Sequence, residues 1–191
     1  VDVAMCSTIG PGFWFGNATE TKRIAREIND YAGMMKSKYP SRFGIFTTLP
    51  LPDIDGSLKE IEYAFDTLKA DGVGLFTSYG DKYLGDASFD PVYAELNRRR
   101  AVVYVHPTTP NCCGNILPGI GPSTIEFVTD TARTVTHILF SGIPSKFPDI
   151  RWIFSHSGGT LPLLTGRLEV LQAIKKDPRL PNGPLPELRK F

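Results

Sequence analysis

Histidine and cysteine are scarce in this sequence: 191 residues contain three of each. There is no HxH pair, no HExxH and no CxxC, so the local signatures of zinc and redox sites are missing. Cys6, Cys112 and Cys113 offer no disulfide framework, and the adjacent Cys112 and Cys113 lack metal-site spacing. No GxGxxG follows the first strand-like run and no Walker motif occurs, which weighs against a dinucleotide or nucleotide fold. No apolar stretch is long enough to span a bilayer, and no signal peptide is visible. An excess of one charge is also lacking. Lys plus Arg number 21 and Asp plus Glu 20, a net charge of +1, so no electrostatic argument favours nucleic acid or an anionic membrane as partner. The one basic run, Arg98-Arg99-Arg100, falls at a helix end, where cations suit the dipole. The expected setting is reducing and cytoplasmic.

What is present is a rhythm of strand and helix. Apolar runs read as strands at Val1–Ser7, Phe43–Thr48, Gly72–Thr77, Ala101–His106 and Ile150–His156. They are continuous rather than alternating, as strands covered on both faces should be. Helix patterns lie between them. Asn17 with Glu20 forms a capping box ahead of Ile24, Ile28, Tyr31 and Met35. Ser57 with Glu60 opens a helix with Leu58, Ile61, Phe65 and Leu68 inward. Asp90-Pro91 places a cap before a first-turn proline. Ser123 with Glu126 opens a helix with Val128, Ala132, Val135 and Leu139 inward and Gly142 as its stop. Thr160-Leu161-Pro162 begins the last, through Leu164, Leu168 and Leu171. This alternation implies an α/β fold of parallel strands joined by right-handed crossovers. Five strand–helix units without a nucleotide signature suggest part of a (β/α)8 TIM barrel, which typically needs roughly 250 residues. The chain opens inside an apparent strand, without an initiating Met. Residues 1–191 are therefore expected to be the central part of a single barrel domain.

Two of the three histidines stand at one structural address. Val102-Val103-Tyr104-Val105 leads into His106-Pro107, and Trp152-Ile153-Phe154-Ser155 leads into His156-Ser157-Gly158-Gly159. In parallel α/β folds the carboxyl ends of the strands carry the chemistry. A lone strand-end histidine could equally be a capped core residue. Two of them, each followed by Pro or Gly-Gly, point to a metal or proton-transfer site. His137 lies inside a helix pattern and reads as structural.

Several motifs occur in a fixed order: Pro50-Leu51-Pro52-Asp53, Asp71-Gly72-Val73-Gly74-Leu75, Phe89-Asp90-Pro91-Val92, Val105-His106-Pro107 and Ser155-His156-Ser157-Gly158-Gly159. Together they resemble the amidohydrolase-related, metal-dependent decarboxylases, the group of aminocarboxymuconate semialdehyde, γ-resorcylate and 6-methylsalicylate decarboxylases. The likeness runs to about Leu171. It is nearest to the 6-methylsalicylate branch through Tyr79–Asp86 and Asp130-Thr131-Ala132-Arg133. The resemblance implies that His106 is a metal ligand and that His156 stands beside the metal, assisting proton transfer or water activation. It implies one divalent metal ion, zinc before manganese, a small carboxylic acid as substrate, and a homodimer. Arg167 matches an arginine that reaches the substrate carboxylate in some members; its alternative is a helix-surface arginine. The family's ligands on the first and eighth strands have no counterpart between Val1 and Phe191. The segment alone is thus expected to be inactive and marginally stable or associated.

The reaction so implied has a clear physical demand. Loss of CO2 from an aromatic acid leaves an unstable aryl carbanion, which prior protonation of the ring carbon avoids. A divalent metal can hold a carboxylate and an ortho-hydroxyl, and an imidazole can carry the proton. Apolar side chains must wall the ring. Gly12-Phe13-Trp14-Phe15 follows the first strand, so Phe13 and Trp14 are candidates, unless the segment is an ordinary hydrophobic staple. Two other readings stand beside this one: a hydrolase or hydratase on the same fold, and a catalytically inert fragment.

Overall fold

A computed structural model of the chain describes residues 1–113 and 116–191. Its centre is a parallel sheet of β1 (Ala4–Cys6), β2 (Phe43–Thr48), β3 (Gly72–Phe76), β6 (Val102–His106) and β7 (Arg151–Phe154). Spatial order follows chain order, and every pairing is parallel. Each connection carries the chain to the adjacent strand, which is the wall of a (β/α) barrel and the architecture expected from the sequence. All five residues of β3 are buried, whereas β1 at the sheet edge is largely exposed. Val73, Leu75, Phe76, Val103, Val105 and Trp152 form the sheet's share of the main core, with Ile61, Val92, Tyr93 and Leu96 packed in from the helices. Among the described residues no helix is long and apolar enough to cross a membrane.

Among the described residues seven helices flank or follow these strands: α1 (Ala18–Lys38), α2 (Ile54–Asp66), α3 (Asp90–Arg98), α4 (Glu126–Phe140), α5 (Ile143–Lys146), α6 (Leu161–Lys175) and α7 (Pro184–Leu188). α1 starts as its sequence dictates: Asn17 Oδ1 accepts from the amides of Thr19 and Glu20, each at 3.1 Å. The reciprocal half of the capping box is not made, because Glu20 turns to Arg23. Three other starts differ from expectation. α2 begins at Ile54, capped by Asp53 through the Gly56 amide at 2.9 Å, not at Ser57. α3 includes Asp90, since a 3-10 turn at Ala87–Phe89 capped by Asp86 precedes it. Ser123 lies in another 3-10 turn, and α4 follows without a side-chain cap. Gly142 ends α4 at φ +72°, as foreseen. A small antiparallel hairpin of β4 (Ser78–Tyr79) and β5 (Lys82–Tyr83), together with α5 and α7, was not foreseen.

The misplaced helix start frees Glu60 for another task. Glu60 is 5% exposed. It accepts from Arg26 Nη2 at 2.7 Å and from Asn29 Nδ2 at 2.8 Å. Asn29 also donates to the Thr48 carbonyl at 2.9 Å and accepts from the Thr48 amide at 2.8 Å. One polar cluster thus ties α1 and α2 to the carboxyl end of β2, where the ladder stops. Glu60→Ala should cost about 1–3 kcal/mol, because the buried Asn29 amide loses an acceptor, while Glu60→Gln should cost less. Urea unfolding curves read both values, and an unchanged midpoint in Glu60→Ala would remove this cluster from the account.

Candidate functional site

The parallel register brings the ends of β3, β6 and β7 to one level. His106 pairs with Phe76 across the β3–β6 ladder, and the Thr77 amide donates to the His106 carbonyl at 3.1 Å. On the other side the Ser155 amide donates to the Val105 carbonyl at 3.1 Å, one step past the end of β7. The next four residues, His156, Ser157, Gly158 and Gly159, have φ of +53°, +55°, +77° and +66°. Two of them are not glycine, and each such residue costs on the order of 1–3 kcal/mol, a strain found mostly at functional sites. The turn docks on α4. Thr160 donates its amide to the Val128 carbonyl at 3.0 Å, and a Cβ on Gly159 would run into that carbonyl oxygen.

The outcome is two imidazoles 5.3 Å apart, ring centre to ring centre, inclined at 67°. His106 is 8% exposed, whereas His156 is open to solvent. His106 Nδ1 lies 2.9 Å from the Pro107 carbonyl oxygen. A carbonyl only accepts, so Nδ1 carries the proton and Nε2 keeps a free lone pair. Burial pushes the His106 pKa below the ordinary histidine value; the Pro107 carbonyl opposes this, and the neighbouring His156 adds to it. His156 Nδ1 sits 3.2 Å from Ser155 Oγ. Phe127, in the first turn of α4, stands edge-on to His106 at 6.0 Å and tilted against His156 at 6.5 Å. Sequence reasoning missed Phe127. Its only signal was an apolar residue near the start of the helix that follows the His106 loop.

A cavity of about 290 Å³ is bordered by Phe13, Trp14, Phe76, Tyr79, Thr108 and Asn111, among others; it reaches Phe76, the ladder partner of His106, but neither histidine borders it. The β1 loop reaches across to it. A Cβ on Gly10 would come 3.4 Å from the Pro107 carbonyl and 3.5 Å from Phe127, and one on Gly12, at φ +81°, would meet the Phe76 ring at 3.2 Å. Phe13 is 6% exposed and edge-on to Phe76 at 5.9 Å, so it packs the core as well as bordering the cavity. Thr108 donates its amide to Thr77 Oγ1 at 3.1 Å, joining the loops after β3 and β6.

One sequence candidate, Arg167, lies elsewhere. Arg167 is on the exposed face of α6, in a groove between α4 and α6 that also holds Arg133 and His137. Neither His106 nor His156 borders that groove. His137 lies in α4 against the Tyr83 ring, 6.5 Å between centres, and its ring fills the space over Gly85. Cys112 and Cys113, read from sequence as forming no disulfide framework, are joined to each other in the loop after β6.

The donor set decides how a metal would sit. Nε2 of His106 is an uncommitted neutral imidazole nitrogen at a buried position, which suits one ligand of a divalent ion. His156 is the adjacent imidazole. Among the described residues no group of three His, Cys, Asp or Glu side chains converges as a metal site. These residues therefore fit one ligand and its neighbour, not a closed coordination sphere.

Comparison with known proteins agrees with this geometry. A family profile described as amidohydrolase matches residues 8–176. A decarboxylase of Penicillium terrestre named macB is 41% identical over 175 residues, covering 86% of this chain and 52% of its own length. A 6-methylsalicylic acid decarboxylase of Penicillium expansum is 42% identical over 161 residues, 83% of this chain and 49% of its own. A crystal structure of a dihydroxybenzoic acid decarboxylase from Polaromonas sp. JS666, with bound manganese and the inhibitor 2-nitroresorcinol, superposes with a TM-score of 0.83 at 25% identity. That match covers 96% of this chain and 58% of that one. The chain spans about half the length of the curated relatives it matches.

The geometry fixes a protonation state that nitrogen NMR can read. In metal-free protein at neutral pH His106 should be the neutral tautomer protonated on Nδ1, titrating below about 6.5. As pH falls through that value the unfolded chain takes the proton first, so stability contributed by this group declines with acidification and is intact above the window. An Nε2-protonated ring, or titration above the ordinary histidine value, would contradict the Pro107 hydrogen bond and the burial.

Proposed function

The chain belongs to the amidohydrolase family, and from that premise we propose that its site serves the non-oxidative decarboxylation of a small aromatic carboxylic acid of the 6-methylsalicylate kind. The observation that carries this reading is the pair of imidazoles at the ends of β6 and β7, 5.3 Å apart and flanked by Phe127. Relatives of this chain named as decarboxylases, at 41% and 42% identity, support the choice of carbon–carbon cleavage over hydrolysis.

Each residue has a role suited to its surroundings. His106 would hold one coordination position of a divalent cation, zinc or manganese, through Nε2, with the Pro107 carbonyl fixing its tautomer. Such a cation, when bound, orients an aromatic carboxylate and ortho-hydroxyl and stabilises their charge. His156, open to solvent and beside His106, carries a proton toward the ring carbon that loses CO2. Its exposure lets it recover that proton from water afterwards. Phe127 supplies an apolar face to the ring, and Phe13 and Trp14 wall the adjoining cavity. Arg167, exposed on α6, acts on substrate in a homodimer, from one copy into the site of the other.

The test is CO2 release from 6-methylsalicylate, without added oxidant, by purified protein carrying these 191 residues within its natural chain. His106→Ala should abolish turnover and lower metal content. His156→Ala should reduce turnover roughly 100- to 10,000-fold, the usual contribution of a positioned acid or base, while retaining more of the metal. Equal metal loss in both variants would refute the division of roles, and absence of CO2 release by the wild type would refute the reaction.

A further inference from the structure

Cys112 and Cys113 have no part in the chemistry above, yet they directly follow Asn111, which borders the cavity. They are adjacent in sequence and joined through their sulfurs, while Cys6 is free. The pair closes a turn in which the Cys113 amide donates to the Pro110 carbonyl at 3.0 Å. Inside that turn Asn111 borders the same cavity as Trp14 and Gly80. The Asn111 side-chain amide donates to the Gly80 carbonyl at 3.5 Å, and a Cβ on Gly80 would come 3.4 Å from Trp14 Nε1. The turn thus touches Gly80, which in turn lies against Trp14.

The two sulfurs have different surroundings. Cys112 is exposed, whereas Cys113 is 9% exposed. Arg133 Nη2 on α4 lies 4.0 Å from Cys113 Sγ. The same guanidinium also faces Asp130 at 3.6 Å and Glu126 at 4.0 Å, which hold it in place and temper its charge. A cation beside a thiol favours the thiolate, the form that attacks a disulfide. One accessible sulfur and one held beside a cation is the arrangement of an entry thiol and a resolving thiol. The ring closed by two adjacent cysteines is small, so making or breaking it changes the backbone freedom of the turn directly.

We propose that Cys112 and Cys113 form a reversible dithiol–disulfide site that sets the conformation of the turn bordering the cavity, with a small-molecule disulfide of the glutathione class as oxidant. In the oxidising direction the Cys112 thiolate attacks one sulfur of the oxidant. The oxidant's sulfur–sulfur bond breaks, one free thiol departs with a proton, and a mixed disulfide stays on Cys112. The Cys113 thiolate then attacks Cys112 Sγ, the mixed disulfide breaks, and the second thiol departs with the second proton. Two cysteine thiols have lost two electrons and two protons, and the oxidant has gained them. Excess small thiol runs the sequence backwards.

The test needs no measurement of turnover. Full-chain protein is equilibrated at defined ratios of reduced to oxidised glutathione, quenched in acid, alkylated and digested, and the peptide carrying both cysteines is weighed. The expected result is joint loss of both alkylatable thiols as the buffer becomes oxidising and their full return under excess reductant. C113S should halt at a glutathione adduct on Cys112. Tryptophan emission should shift along the same titration, and the shift should be absent in C112S/C113S and in W14F. Thiols that stay free in every buffer would overturn the proposal, as would a bond that survives excess reductant. An emission shift retained in C112S/C113S, or no shift in the wild type, would overturn the coupling to the cavity.

Discussion

The ladder between β6 and β7 sets where the two imidazoles stand. Its register places Val105 opposite Phe154, and the Ser155 amide extends it by one bond to the Val105 carbonyl. His106 follows Val105 directly, and His156 follows Ser155. In a parallel pair the strands end on the same side, so His106 at the end of β6 and the turn that opens with His156 after β7 lie at one edge of the sheet. A slip of one residue would reverse the facing of every side chain on the slipped strand, and the pair would be lost.

Two further constraints turn this proximity into a site. The positive-φ run from His156 to Gly159 bends the chain sharply after β7, and the fit of Gly159 against the Val128 carbonyl locks that bend onto α4. The same helix brings Phe127 against both rings. The Pro107 carbonyl commits one nitrogen of His106 and leaves the other free. Burial keeps that ring neutral, the state a cation requires. Backbone strain, helix docking and tautomer choice therefore serve one end, an uncommitted Nε2 beside a solvent-facing imidazole.

Much of this was legible in the sequence, for identifiable reasons. The five continuous apolar runs fell where β1, β2, β3, β6 and β7 lie; cover on both faces explains the run at β3, whereas β1 and β7 are partly exposed. His106 and His156 were found by position alone. Helix starts were less legible. Ser57 and Glu60 imitate a capping box, but Asp53 reaches the Gly56 amide first, and Glu60 is drawn to Arg26 and Asn29 across the core. The hairpin at Tyr79–Tyr83 and α7 are too short to show a period. Phe127 and the joined Cys112 and Cys113 depend on the path of the long loop after β6, which local pattern does not encode. Arg167 was correctly placed on a helix, yet nothing in its spacing told that it faces a groove shared with Arg133 and His137.

The central claim is that His106 and His156 share a single site able to receive a divalent cation. Manganese titration followed by imidazole NMR tests it most directly, because the paramagnetic ion broadens nearby signals and spares distant ones. The account predicts that the His106 and His156 resonances broaden together at the lowest manganese concentrations while those of His137, on α4, stay sharp. Broadening of all three histidines in parallel, or of His137 first, would contradict it.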